Sequence, residues 1–151
     1  IVVNVLLYIT VGIEEELMFR SVVTECVLRK NSNIIVFASV YSGLLFGLAH
    51  ITNFIFDADM TMFNKWCTMI MACVFGFTLA VIFLRTKSIG AIITLHFLWD
   101  FADFMNHMMI VERYRYGGSY NALVLQIPVL IVMLVIAVFC MYKRQMRLQS
   151  V

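Results

Sequence analysis

The sequence predicts an all-α fold: a polytopic transmembrane helix bundle with a cavity for polar groups inside the membrane. Three observations carry this expectation. Hydrophobic residues fill 63% of the 151 positions and charged residues only 13%, against about half and about a quarter in a soluble domain. That is more apolar side chain than a core of this size can hide, so lipid is the expected solvent. The charges fall in clusters that divide the chain into apolar runs of helical length, and ionisable residues recur inside those runs at helical spacing. No strand alternation and no internal repeat is visible. The composition excludes a soluble enzyme and a disordered tail, and a net charge of +2 excludes a typical nucleic-acid binder. A single membrane domain over 1–151 is expected.

The apolar runs are 1–13, 17–28, 34–50, 66–84, 89–105 and 122–142. A helix needs about 20 residues, at 1.5 Å each, to cross the hydrocarbon core. The runs 66–84 and 122–142 meet that unaided; 34–50 and 89–105 reach it with snorkelling ends. The first two runs are expected either as one long helix carrying acids in its middle or as two pieces hinged at Gly12; a helix over about 13–30, entered by a preceding helix, is the favoured form. The segment 105–121 is expected to be a loop. Arg29, Lys30, Arg85, Lys87 and the Lys143-Arg144-Gln145-Met146-Arg147 tail alternate with Asp57, Asp59 and Glu112. By the positive-inside rule this puts the C-terminus in the cytoplasm, with the basic tail as a secondary contact for anionic lipid. The chain begins at Ile1 with no basic region or cleavage site of a signal peptide, and is expected to lack N-terminal helices of a longer precursor.

Other features have plain readings. Cys26, Cys67, Cys73 and Cys140 form no CxxC pair and read as small buried hydrophobes. Tyr8, Trp66, Trp99, Tyr114, Tyr116, Tyr120 and Tyr142 read as interface anchors. Gly43 and Gly47, in GLLFG, form a small-xxx-small pattern for close helix contact, expected to seat His50 near Glu15.

The informative residues are the polar ones in the oil. An ionisable side chain at the membrane centre costs at least about 2.5 kcal/mol and marks a partner or a cavity. Glu14, Glu15, Glu16 and Arg20 sit in GIEEELMFR, His50 ends YSGLLFGLAH, and His96 and Asp100 lie in TLHFLWDFAD, followed by Asp103 and His107. Residues four apart share a helix face. Glu16 and Arg20 can therefore form an ion pair, which leaves Glu15, about 100° round the helix, free for another role. Phe46 shares a face with His50, and His96 with Asp100. Asp103 and His107 read as polar residues at a helix exit.

These residues also carry a resemblance. EELMFR, FGLAH and HFLWD, in that order, resemble the EExxxR, FxxxH and HxxxN/D motifs of the CPBP (Abi) family of CAAX-processing and bacteriocin-processing intramembrane proteases. The resemblance covers about residues 10–105, followed by a C-terminal transmembrane helix over about 122–142. It implies an endopeptidase with Glu15, His50, His96 and Asp100 as catalytic residues, supported by Glu16, Arg20 and Phe46. Peptide hydrolysis needs an activated water and a stabilised oxyanion. The implied division of labour has Glu15 and His50 activating water while His96 and Asp100 face the substrate carbonyl. Asp100 departs from the asparagine of eukaryotic CAAX enzymes, because an acid donates a hydrogen bond only when protonated. The implied substrate is a hydrophobic, prenylated or leader peptide, met within membrane lipid; no nucleic-acid partner is expected. A metal-free mechanism is expected, and zinc, if used, would take Glu15, His50 and His96 as ligands. The implied location is a bacterial plasma membrane. The contrasting expectation is a non-catalytic immunity or scaffold protein of the same family. A transporter is disfavoured by the lack of inverted repeats.

Overall fold

In a computed structural model the described residues are 2–24, 26–27, 35–56, 61–115, 128, 130–135 and 137–139, with backbone alone for Val2, Asn53, Phe54 and 106–115. Among them every element is helical. Helix α1 (Val2–Glu16) runs directly into a π-helical stretch, Leu17–Thr24. Then come α2 (Ile35–Ala49), a short α3 (Thr52–Phe56), α4 (Met62–Thr86) and α5 (Ile89–Arg115). Helical backbone recurs within Leu130–Phe139, where Leu130 and Met133 pack on the core. Asp57, Asp59, Arg29, Lys30, Cys140 and the whole basic tail lie outside the described residues.

Two boundary expectations are corrected. Gly12 is no hinge: it sits inside α1, where α5 packs beside it at a distance a side chain would also tolerate. A Cβ there would stand 3.8 Å from His96 Cβ and from the Phe97 amide nitrogen. The change in helix geometry comes at Leu17 instead. The segment 105–121 is also not all loop, since α5 continues to Arg115. Nothing in its sequence stops it: there is no proline, and the glycines come at 117 and 118.

The π-helical stretch has a visible partner set. Thr24 Oγ1 donates to the Phe19 carbonyl five residues back at 2.7 Å, and Ser42 Oγ of α2 donates to the same carbonyl at 3.4 Å. A π stretch tilts carbonyls away from the ordinary ladder, and these two hydroxyls satisfy the one at Phe19. Helix α4 is capped at both ends. Thr61 accepts from the Asn64 amide, and Lys87, left-handed at φ 55°, donates its amide to Phe83 at 2.7 Å. Ser88 then accepts from the Ala91 amide and starts α5, so α4 and α5 are joined by two residues.

Among the described residues helices α2 and α4 make the most extensive packing, and glycines permit it. A Cβ on Gly43 would lie 2.7 Å from the Cys73 carbonyl oxygen, and one on Gly47 would lie 2.9 Å from the Met69 carbonyl. GLLFG therefore seats α2 on α4, not on the helix that carries Glu15. Cys73 packs into this contact, while Cys26 is exposed, which corrects the expectation of uniformly buried thiols. All three described cysteines are free.

The interior holds polar side chains beside an apolar core that includes Phe46, Phe75, Leu79 and Ile92, and the exterior carries many large apolar ones. Glu16, Arg20, Thr24, Ser39, Ser42, Thr78 and His96 are buried, while Leu6, Leu7, Phe37, Phe56, Phe63 and Ile70 are among the many large apolar side chains facing out. A buried polar group and an exposed apolar surface are the two observations that carry information about solvent. Ser39 and Thr78 satisfy their hydroxyls on carbonyls one turn back. At 25 residues, about 37 Å, α4 is long and apolar enough by itself to cross a membrane, the one such helix among the described residues. Helix α2 is shorter, 15 residues or about 22 Å.

Candidate active site

The site begins at the junction of α1 with the π-helical stretch. Glu16 and Arg20, both fully buried, face each other one turn apart with Oε2 and Nε 2.8 Å distant. The contact is an ion pair that lies off the axis of a straight hydrogen bond. The guanidinium also donates from Nη2 to the Gly76 carbonyl at 3.3 Å, and its Cζ lies 4.8 Å from the centre of the Phe46 ring. A desolvated cation over a ring is worth about 2 kcal/mol, so carboxylate, carbonyl and ring together accommodate this charge.

Phe46 is the hub of the surrounding packing. Its ring meets Phe19 edge-on at 5.1 Å, His50 at 5.1 Å, His96 at 5.8 Å and Phe75 at 6.1 Å. Gly76 makes room for it, since a Cβ there would come within 2.7 Å of Phe46 Cβ. Trp99, expected at the membrane interface, instead packs on Phe75 at 5.0 Å beside the core. It lies three residues after His96, on the same side of α5, and both rings pack on Phe75.

His96 connects the helices. Its Nδ1 is 2.6 Å from Glu16 Oε1, a buried contact spanning 80 residues of sequence. Its Nε2 is 3.7 Å from Glu15 Oε2 and 3.5 Å from Asp100 Oδ2. Glu15 is about a third exposed and Asp100 about a fifth, whereas His96 is almost fully buried. Three carboxylates thus surround one imidazole, two of them on its open side. Asp100 also interacts electrostatically with Glu15, Asp103 and His50.

His50 stands at the end of α2, half-buried, with its ring on Phe46. Its Nδ1 lies 2.9 Å from the Phe46 carbonyl. A carbonyl only accepts, so Nδ1 carries the proton and the neutral ring presents its Nε2 lone pair elsewhere. Phe46 touches both histidines. Glu14 is exposed, Asp103 lies on the exposed side of α5, and the His107 side chain is outside the described residues.

The spacing argument located the Glu16–Arg20 pair but missed the Glu16–His96 hydrogen bond, because local periodicity says nothing about which helices meet. One signal was available. Gly12 lies one turn before Glu16, and a small residue there marks where another helix comes close.

Among the described residues no group of three or more histidine, cysteine, aspartate or glutamate side chains is arranged to hold a metal ion. His96 Nδ1 and Glu16 are already joined to each other.

Residues 1–102 match the family described as type II CAAX prenyl endopeptidase Rce1-like. With two thirds of its length matched, the chain belongs to that family of membrane-embedded proteases. The match spans all three motif segments and ends just after Asp100. It gives no support to metal dependence or to a bacteriocin role. No curated protein matches the chain, and no solved structure does.

Proposed function

We propose that the chain is an intramembrane endopeptidase that removes the C-terminal tail of prenylated CAAX peptides, using a water activated by Glu15. The observation that carries this reading is His96 Nε2 lying between the carboxylates of Glu15 and Asp100, with Nδ1 held from behind. Glu15 has the solvent access a base needs; Glu16, sealed against Arg20, does not.

In the proposed step Glu15 takes one proton from water as its oxygen attacks the scissile carbonyl carbon. His50 orients that water through the nitrogen turned away from Phe46. The oxyanion forms on the side of His96 and Asp100, which serve it as donors when Nε2 of His96 and the Asp100 carboxyl each carry a proton. Collapse breaks the C–N bond, and Glu15 returns the proton to the leaving amine. No step is routed through a metal; if zinc binds, Glu15, His50 and His96 are the residues that would hold it. Glu16, Arg20 and Phe46 hold the site together.

The apolar exterior and the buried Glu16, Arg20 and His96 support a polytopic bundle in lipid, and the charge alternation in the sequence supports a plasma-membrane protein with a cytoplasmic C-terminus. The peptidase family match favours this reading over a non-catalytic scaffold. The test is cleavage of a farnesylated peptide by the protein reconstituted in liposomes. The expected result is release of the C-terminal tail, with an unprenylated peptide of the same sequence cleaved far more slowly. Equal cleavage of both would remove the lipid-modified substrate from the reading.

A further inference from the structure

We propose that Glu16 is a positioning residue for His96, fixing which imidazole nitrogen faces the reaction space, in addition to neutralising Arg20. This rests on the peptidase reading. One carboxylate serves both neighbours: Oε2 faces Arg20 Nε at 2.8 Å, and Oε1 lies 2.6 Å from His96 Nδ1. A carboxylate held against a guanidinium accepts and does not donate, so the proton on this contact belongs to Nδ1. The lone pair, or the second proton when the ring is charged, is then at Nε2, which faces Glu15 and Asp100. An imidazole without that partner has two tautomers, one of which reverses the roles of its nitrogens.

The rest of the ring's surroundings restrain its plane but not its protons. Phe46 and Phe75 meet it edge-on, at 67° and 81°, and α1 at Gly12 backs its Cβ. His50 is anchored the same way, Nδ1 inward, but onto a backbone carbonyl. A carbonyl holds a tautomer; a carboxylate also balances charge if Nε2 takes a proton during turnover. The two histidines therefore differ in what their anchors allow.

The test separates positioning from charge neutralisation. In Glu16→Met/Arg20→Met both buried charges go, a replacement that tends to leave stability unchanged or raised. The expected result is a folded protein whose kcat on a farnesylated peptide falls about 10–100-fold, as when the partner of a functional histidine is lost, with KM little changed. Glu16→Gln/Arg20→Met, which restores an acceptor to Nδ1, recovers part of that loss. In 15N spectra of histidine-labelled protein, wild-type His96 carries its proton on Nδ1, and the Met pair shows mixed tautomers. If the Met pair fails to fold, Glu16→Asp keeps the charge beside Arg20 while drawing the oxygens back from Nδ1, and the same loss of kcat is expected. Wild-type kcat in the folded Met pair, or a wild-type His96 protonated at Nε2 alone, overturns the proposal. The expected tautomer in a protein that cleaves no peptide leaves the positioning intact and overturns the peptidase reading.

Discussion

Glu15 and Glu16 address the same imidazole from opposite ends. Glu16 Oε1 stands 2.6 Å from His96 Nδ1, and Glu15 Oε2 stands 3.7 Å from Nε2. Consecutive helical residues point about 100° apart, so a ring inserted between their directions can meet both. The shorter contact is sealed and the longer one is open, so two chemically identical side chains differ in solvent access, as the proposed division into a support and a reacting group requires. The change of helix geometry immediately after Glu16 falls at this point in the chain.

Breaking the buried pair from one side is expected to destabilise the fold. Glu16→Ala leaves a buried guanidinium, and Arg20→Ala leaves a buried carboxylate; each is expected to cost about 3–5 kcal/mol. The check is the thermal midpoint and folded yield in detergent. Glu15→Ala, at a partly exposed position, serves as the control and leaves both near wild type.

Much of this was legible in the sequence, for identifiable reasons. Glu16–Arg20 is a contact within one helix, so spacing alone reveals it. The apolar exterior follows from composition, and α2, α4 and the start of α5 follow from the apolar runs. What the sequence hid was contact between helices. GLLFG announced a close approach without saying that α4 was the partner. Trp99 looked like an anchor because aromatic residues near segment ends serve in both roles. The π-helical stretch left no mark, since a threonine five residues after Phe19 is an ordinary spacing in sequence, and the second donor to that carbonyl, Ser42, comes from another helix.

The α2–α4 contact predicts a contrast between glycines. Gly43→Ala places a Cβ against backbone atoms of Cys73 and Phe77, which cannot move without separating the helices. Overpacking of that kind is expected to cost about 1–3 kcal/mol. Gly90→Ala meets nothing within 4 Å and is expected to be neutral or stabilising by up to about 1 kcal/mol. Equal midpoints for the two variants would contradict the packing described.

Thr24→Val keeps the shape and removes the 2.7 Å hydrogen bond to Phe19. The expected loss is about 1 kcal/mol, with a larger effect on cleavage than on stability, because the stretch it holds carries Arg20. Faster hydrogen exchange across 17–24 is the accompanying readout.

Cleavage is expected to survive removal of divalent metal. Incubation with a strong chelator followed by dialysis should leave the rate on a farnesylated peptide unchanged. Loss of activity that zinc alone restores would move Glu15, His50 and His96 from acid–base roles to ligands.

The most direct test of the account is Glu15→Gln, which keeps size and hydrogen-bonding capacity while removing the base. In liposomes the wild type should release the tail of a farnesylated peptide. The variant, with unchanged folded yield, should be slower by about 10²–10⁴-fold, the usual contribution of a general base. A folded Glu15→Gln protein that cleaves at the wild-type rate would contradict the account.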